Sequence, residues 1–175
     1  MYESLRSHCL QNYSDFEIIF GIADPDDPAV HVVDRLRREF PGVAMRLAVC
    51  REILGTNLKV SNLVQMLPHA RHPYLVISDS DIRVQPDYLR QVIWPLRDPG
   101  VGLLTCLYRG AFGGTLGSCL EAVGIETAFC GGVLAAREVE KGIRFGLGST
   151  LAVSDRKSTR LNSSHSRASR MPSSA

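Results

Sequence analysis

Short apolar runs alternate with amphipathic segments along most of the chain. The apolar runs are rich in β-branched and aromatic residues and end near Gly, Pro or Asp, which is typical of buried strands. The segments between them repeat apolar residues every three or four positions, which is typical of helices. This alternation predicts an α/β fold with a mainly parallel, Rossmann-like sheet flanked by helices. The predicted strands are Phe16–Ala23, Met45–Cys50, Pro73–Ser78, Val101–Tyr108, Gly131–Ala136 and Ile143–Val153, and the predicted helices are Tyr2–Asn12, Ala29–Phe40, Leu58–Leu67, Asp87–Leu96 and Thr115–Phe129.

The composition is that of an ordinary globular protein. Of the 175 residues, 45% are apolar and 22% are charged, which fits one domain or part of one and excludes a coiled coil or bulk disorder. No uninterrupted apolar run approaches the roughly 18–20 residues of a bilayer-spanning helix, so we expect no transmembrane segment in this stretch. The five cysteines form no CxxC pair, which favours reduced thiols in a cytosolic compartment.

Residues 155–175 differ in composition from the rest of the chain. They carry five basic residues against Asp155 alone, together with seven serines, which predicts a disordered segment that packs no core. A basic arm for nucleic acid or for an anionic membrane is the functional alternative. However, residues 155–165 are what one reading frame of a common short-read sequencing adapter encodes. We therefore place the domain at residues 1–154, regard 155–175 as not biological, and expect no nucleic-acid partner.

Polar side chains follow the first three predicted strands, at the point where each strand ends. In a parallel sheet, ligands bind in the crevice at the carboxyl ends of the strands. These side chains are therefore predicted to line one crevice. Asp24 follows the first strand, Asn57, Lys59 and Asn62 follow the second, and Asp79 and Asp81 follow the third.

The sharpest signal is the pair of carboxylates at Asp79 and Asp81. Two carboxylates two residues apart, directly after a buried strand, can bind one hard cation such as Mg²⁺ or Mn²⁺, which leaves positions open for diphosphate oxygens. The alternative is a turn in which both carboxylates accept hydrogen bonds from backbone N–H groups. Lys59 can meet a phosphate as a point charge, although a solvated lysine in the first turn of a helix fits the spacing as well.

Asp24, Asn57 and Asn62 are candidates for contacts with other parts of a ligand. Asp24 can accept hydrogen bonds from a nucleobase or ribose, and the alternative is an Asx or proline-rich turn. Asn57 or Asn62 can hydrogen-bond a sugar or phosphate, and Thr56 or Asn57 can also cap the helix that follows.

Several longer strings extend these short motifs. FGIADPDDPAV, GTNLKVSNLVQMLPHARH, LVISDSDIRVQPDYL, GLLTCLYRG and IRFGLGSTLAV occur in this order. From Tyr2 to Val153 the chain thereby resembles the ceramide glucosyltransferase-like branch of family-2 type glycosyltransferases, above all its bacterial hopanoid-associated members. The resemblance implies a GT-A fold, a UDP-sugar donor, a divalent metal and a lipid acceptor at the cytoplasmic face of a membrane. It also implies that Asp24, Lys59 and Asn62 line the donor site and that Asp79 and Asp81 bind the metal.

The resemblance also sets expectations for what this chain lacks. The family's catalytic acidic motif follows the segment that resembles FGLGSTLAV, a Q/R-x-x-R-W motif comes later, and neither is present here. The family's first strand and its membrane segments are also missing, so we expect a fold that is incomplete at both ends. We therefore predict an inverting hexosyltransferase that is inactive in this form, with no catalytic base assigned. The alternatives are a haloacid-dehalogenase-like phosphohydrolase with Asp79 as nucleophile, and a non-catalytic nucleotide-binding fragment.

Overall fold

A computed structural model describes residues 1–111, 113–143 and 145–154. The predictions for residues 155–175 lie outside the described residues. The described part is an α/β fold, as predicted, with a helix between each pair of successive strands. The strands are β1 (Glu17–Ile22), β2 (Ala44–Val49), β3 (Tyr74–Ser78), β4 (Leu103–Thr105) and β5 (Thr150–Ser154), and the helices are α1 (Tyr2–Cys9), α2 (Ala29–Glu39), α3 (Leu58–Met66), α4 (Tyr88–Ile93), α5 (Leu116–Gly124) and α6 (Cys130–Glu140).

The first sheet consists of β1 and β2, which pair in parallel over their whole length. They are connected by α2, whose Val33 and Leu36 are almost fully buried because they recur on one face at helical spacing. Leu36 packs against Leu5 and Cys9 of α1, and these residues form the core of this half. Burial raises the pKa of the Cys9 thiol to about 11, so this cysteine stays protonated inside the core.

The second sheet has three strands in the order β3–β5–β4. β5 lies between the other two and runs antiparallel to both, so Ala152 has Val76 opposite it on one side and Leu104 on the other. The predicted α/β fold with a parallel sheet is confirmed in β1–β2, and β5 adds antiparallel ladders that the sequence pattern did not predict. A strand's alternation of side chains is the same in either direction, so the pattern carries no information on orientation. The core of this half is formed by Val92, Ile93, Leu96 and Ala152.

The largest departure from the predicted elements lies between β4 and β5. There α5, a π-helical turn at Ile125–Phe129 and α6 form one helix of 25 residues, called the long helix below. The strand predicted at Gly131–Ala136 is therefore wrong. Gly131 and Gly132 each cost a helix only about 1 kcal/mol, and no proline follows them, so the helix continues until Lys141 adopts a left-handed conformation.

The long helix is also more apolar over its whole length than the uninterrupted runs in the sequence indicated. By length and composition it could cross a bilayer, and it is the one helix among the described residues that meets this criterion. The expectation of no transmembrane segment rested on uninterrupted apolar runs, whereas here Gly, Ser, Thr and Ala interrupt the larger apolar residues without ending the helix. Its start is set by a capping box, in which the side chains of Thr115 and Ser118 bond each other's backbone N–H groups.

The two sheets are joined by α1 and the residues that follow it. Nε2 of Gln11 donates a hydrogen bond to the carbonyl oxygen of Gln85 at 2.9 Å, and its Oε1 accepts one from the N–H of Leu89 at 3.0 Å. Oγ of Ser7 accepts a hydrogen bond from the N–H of Val84 at 3.0 Å. These bonds hold the segment after β3, where the polar cluster of Asp79 and Asp81 lies, against the first sheet.

Candidate functional site

Three segments that are far apart in the sequence meet at the side chain of Lys59. Lys59 lies in the first turn of α3, and its Nζ forms an ion pair with Oδ1 of Asp79, the residue that follows β3. The same Nζ donates a hydrogen bond to the carbonyl oxygen of Gly148 at 2.6 Å, shortly before β5. The backbone N–H of Asp79 donates to the carbonyl oxygen of Ser149 at 3.2 Å. The structure thus brings α3, the end of β3 and the start of β5 to one point.

The Lys59–Asp79 pair is open to solvent. Its two side chains keep 41% and 40% of their full exposure. An ion pair this exposed contributes only about 0–1 kcal/mol to stability, because water screens the charges and two long side chains lose freedom. A bound ligand can therefore replace either partner at low cost, an anion at the ammonium group or a cation at the carboxylate.

Asn57 determines where α3 begins. Its side-chain oxygen accepts a hydrogen bond from the N–H of Val60 at 3.2 Å, which makes Asn57 the N-cap residue. The capping role considered for Asn57 from the sequence is therefore observed. Because of this cap, Lys59 lies in the first turn of α3. The free N–H groups there carry a partial positive charge, so they and the ammonium group together make this point of the surface positive.

Asn62 lies one turn further along α3 and is half-buried. Its carbonyl oxygen accepts a hydrogen bond at 3.6 Å from Sγ of Cys50, directly after β2. Burial raises the pKa of the Cys50 thiol, which favours the protonated form that donates this bond. The contact ties α3 to the end of β2 and so helps to place Lys59, while the side-chain amide of Asn62 makes no hydrogen bond within the described part of the chain.

Asp81 lies in the exposed loop after β3. Its carboxylate has no hydrogen-bond or ion-pair partner among the described residues, while its carbonyl oxygen accepts a hydrogen bond from Oγ of Ser4 at 3.1 Å. No three His, Cys, Asp or Glu side chains in residues 1–111, 113–143 and 145–154 are grouped to hold a metal ion. A cation such as Mg²⁺ needs only one or two carboxylates and completes its shell with water and phosphate oxygens, so a metal site at Asp79 and Asp81 stays a prediction.

Asp24 follows β1 and lies at the same sheet edge as the loop after β2, because the two strands are parallel. Its Oδ1 accepts a hydrogen bond from the N–H of Asp26 at 2.9 Å, and its carbonyl oxygen accepts one from the N–H of Asp27 at 3.1 Å. This is the Asx turn that the sequence left as the alternative. Asp24 is exposed, and in the described structure no hydrogen bond joins it to Lys59 or Asp79.

Residues 1–159 match the family described as glycosyl transferase family 21. The chain belongs to this family. It is 33% identical over 87 residues to ceramide glucosyltransferase 1 and 32% identical over 87 residues to ceramide glucosyltransferase 3, both of Caenorhabditis elegans. It is 27% identical over 101 residues to the ceramide glucosyltransferase of Candida albicans (strain SC5314 / ATCC MYA-2876).

The alignments with these relatives are partial. Each covers about half of this chain and 19% of the relative, so the chain spans about a fifth of the length of the curated relatives it matches. No solved structure matches the chain. Membership of glycosyl transferase family 21 agrees with the resemblance to ceramide glucosyltransferase-like enzymes. It gives no support to the phosphohydrolase alternative, since the family match includes Asp79, on which that alternative rested.

Sequence reasoning missed the contribution of Gly148 and Ser149 to this candidate site. Gly148 supplies only a backbone oxygen to Lys59, and no argument from residue types can detect a backbone contact. Ser149 has a buried Oγ without a hydrogen-bond partner in the described structure, and its carbonyl oxygen holds the N–H of Asp79. A signal was present, because both residues lie in IRFGLGSTLAV, one of the strings that carried the resemblance.

Proposed function

We propose that this chain contains the donor-binding part of an inverting glycosyltransferase, which moves a hexose from a UDP-sugar to a hydroxyl group of a lipid. The proposal is carried by one observation: the Lys59–Asp79 pair, with Asp81 two residues on, stands where three segments meet in a member of glycosyl transferase family 21. The names of the relatives, all ceramide glucosyltransferases, support a ceramide-like or hopanoid-like lipid as the acceptor.

In the proposed donor site, the predicted residues have different roles. Asp79 and Asp81 would hold Mg²⁺ or Mn²⁺, whose positive charge stabilises the diphosphate leaving group. Lys59 orients the Asp79 carboxylate in the free protein and supplies a second positive charge near the phosphates. The site residues assigned to the nucleotide and sugar are Asp24, Asn57 and Asn62.

The proposed reaction is a single displacement at the anomeric carbon. A base removes the proton of the acceptor hydroxyl, the acceptor oxygen attacks the anomeric carbon, and the bond from that carbon to the diphosphate oxygen breaks. Attack opposite to the leaving group inverts the anomeric configuration. We assign no base to this chain, because the resemblance places that residue after the FGLGSTLAV segment, and we expect donor binding without turnover from the 175 residues.

A lipid acceptor also sets where the reaction takes place. Ceramide-like and hopanoid-like lipids stay in the bilayer because burying their CH₂ groups is worth about 0.8 kcal/mol each. The donor is water-soluble, so the two substrates meet at the membrane surface. We propose that the complete enzyme works at the cytoplasmic face of a membrane.

The first test is calorimetric titration of the chain with UDP, in Mg²⁺ or Mn²⁺ and in excess EDTA. We expect metal-dependent binding that weakens roughly tenfold or more, about 1.4 kcal/mol, in Asp79→Asn and in Asp81→Asn. Asp34→Asn is the matched control, since Asp34 is an exposed acid of α2 that pairs with Arg37, away from the donor site. UDP binding that ignores both the metal and the two substitutions would overturn the assignment.

A second measurement separates the remaining alternatives. Incubation with a UDP-hexose and a lipid acceptor should give bound UDP-hexose and no transferred sugar. Sugar transfer would show that the base lies within this chain. A trapped phospho-aspartate at Asp79 after incubation with a phosphate ester would instead select the phosphohydrolase.

A further inference from the structure

The inward side of the long helix lies on the segment that follows β4. The rings of Tyr108 and Phe129 are 5.1 Å apart between centroids, and Gly110 approaches Ala122 so closely that a Cβ at Gly110 would collide with it. Val133, on this side of α6, is only 7% exposed. The middle of the helix is therefore fixed to the domain.

The outward side of the long helix is apolar and uncovered. Leu116, Leu120 and Val123 stand at i, i+4 and i+7, so they share one face of α5, and they are 78%, 65% and 53% exposed. Only 6% of the most apolar 18-residue stretch of the helix is buried. Exposed apolar surface of this extent marks a binding face, because soluble domains rarely leave such a patch open to water.

The long helix does not cross a bilayer while the fold is intact. β4 and β5, which precede and follow it, are hydrogen-bonded neighbours in one sheet. If the helix spanned roughly 30 Å of hydrocarbon, the nine residues 141–149 would have to return across it as an extended chain with unpaired backbone groups. The chain instead turns at the helix end, where the N–H of Gly142 donates to the carbonyl oxygen of Arg137 at 2.9 Å.

We propose that the long helix lies flat in the surface of a lipid bilayer, with Leu116, Leu120 and Val123 inserted among the acyl chains. The length and hydropathy of the helix suit a hydrocarbon environment, while the sheet that precedes and follows it forbids spanning, so we infer that its apolar face enters one leaflet only. This inference goes beyond the proposed function by naming the surface that meets the membrane, and it rests on that function only for the lipid acceptor.

The charges of the helix define which feature of the bilayer it recognises. Over its whole length the helix carries one positive charge, at Arg137, against four negative charges, at Glu121, Glu126, Glu138 and Glu140. Attraction to anionic headgroups therefore contributes nothing to binding, and insertion of the apolar face is the driving force. Binding through this face should occur on uncharged lipids and should survive high salt.

The position of the helix also connects the membrane to the donor site. Seven residues lie between Glu140 and Gly148, whose carbonyl oxygen accepts the hydrogen bond from Lys59. Even when extended, they keep the helix end within about 30 Å of this contact. A helix that lies in the bilayer surface thus holds the donor site close to lipid hydroxyl groups.

The test is flotation of the full 175-residue chain with phosphatidylcholine vesicles. We expect the chain to float with the vesicles, and Leu116→Glu with Leu120→Glu to reduce the bound fraction roughly tenfold or more. Ile53→Glu is the matched control, because Ile53 is 77% exposed, as Leu116 is 78% exposed, but lies in the loop after β2. Far-UV circular dichroism and a cooperative urea transition verify that each variant is folded.

Several outcomes would overturn the inference. The first is a wild-type chain that stays in the soluble fraction. The second is vesicle binding that needs anionic lipid or disappears in high salt. The third is an equal decrease of the bound fraction in the double variant and in the Ile53→Glu control. Self-association that the double variant abolishes, without vesicle binding, would show that the face pairs with a second copy. UDP binding is measured separately. Vesicle binding without UDP binding contradicts the proposed function alone, and UDP binding without vesicle binding contradicts this inference alone.

Depth measurements distinguish insertion in the interface from spanning. In a Trp94→Phe background, a tryptophan introduced by Leu120→Trp serves as the sole indole. Lipids brominated on the acyl chain close to the headgroup should quench the fluorescence of this tryptophan more than lipids brominated close to the methyl end of the chain. The opposite order would place this face deep in the hydrocarbon and contradict the proposal.

Discussion

Two of the junctions between the two sheets of this domain differ in construction. At the first, α1 and Gln11 contact residues 82–89 through several hydrogen bonds from half-buried or buried side chains. At the second, the side chain of Lys59 alone reaches Asp79 and Gly148, and the ion pair is about 40% exposed. One junction is shielded and multiply bonded, and the other is open and depends on a single residue.

This difference separates stability from binding. Buried hydrogen bonds are costly to break, because a group left without a partner loses both water and its protein contact. An exposed ion pair can exchange partners at little cost. The α1 junction therefore holds the sheets in place, and the Lys59 junction is the one that a ligand can enter. Four measurements test this division, from the largest expected effect to the smallest.

Leu36→Ala should have the largest effect on the α1 junction. Leu36 is fully buried and supports Leu5 and Cys9 of α1, so its truncation leaves a cavity under the helix that carries the junction. We expect a loss of about 2–5 kcal/mol in the free energy of unfolding, measured by urea titration. Leu67→Ala is the control, because Leu67 is 38% exposed. Equal losses in both variants would contradict a core centred on Leu36.

Gln11→Ala tests the hydrogen bonds of the same junction. Gln11 is 9% exposed, and its amide bonds the backbone of Gln85 and of Leu89, so the variant removes two partly buried hydrogen bonds between α1 and this segment. We expect a loss of about 1–3 kcal/mol in the free energy of unfolding. Gln91→Ala removes an exposed amide that bonds only Asp87 and should cost far less. A Gln11 variant as stable as the wild type would show that α1 is held by packing alone.

The fold was predictable from the sequence where local pattern decides it. β1, α2, β2, α3 and β3 lie within a residue or two of their predicted bounds, because each is a short apolar or amphipathic run with clear ends. The full length of the long helix was not predictable. The Gly131-Gly132 pair resembles the end of a helix, and only the structure shows that the helix continues through it. The orientation of β5 depends on tertiary contacts that no local pattern contains.

The candidate site was predictable to a similar degree. Lys59 and Asp79 were named from residue type and position at strand ends, and the structure places them in contact. The roles of Gly148 and Ser149 depend on backbone atoms and on the return of β5 beside β3, so residue chemistry alone could not reveal them. The sequence left Asp24 as a turn former or a ligand contact; the structure shows the turn, and the ligand contact stays a prediction.

His8 makes the α1 junction sensitive to pH. Its ring lies against Tyr88, its Nε2 is 3.2 Å from the carbonyl oxygen of Ile82, and burial lowers the pKa of His8. The unfolded chain therefore binds the proton more readily. The stability that comes from burying neutral His8 is fully present above the pKa of histidine in the unfolded chain, about 6.5. It is lost as the pH falls from there toward the lower pKa of His8 in the folded protein.

We expect the urea midpoint to fall between about pH 7 and pH 5.5, and His8→Gln, which keeps a donor but cannot titrate, to flatten that fall. His31→Gln, on the exposed side of α2, is the control. A midpoint that falls equally in wild type and His8→Gln would assign the pH dependence to other groups.

Lys59→Met should have the smallest effect on stability and thereby completes the comparison. The variant keeps most of the aliphatic chain but removes the ion pair to Asp79 and the hydrogen bond to Gly148, so we expect a loss of at most about 1 kcal/mol in the free energy of unfolding. Arg37→Met removes an ion pair of similar exposure, 40% and 44%, on α2 and should cost about as much. UDP binding should distinguish the two variants, since only Lys59→Met removes a charge from the site. A Lys59 variant that lost several kcal/mol while keeping full UDP affinity would reverse the division, because the open junction would then be the one that holds the sheets together.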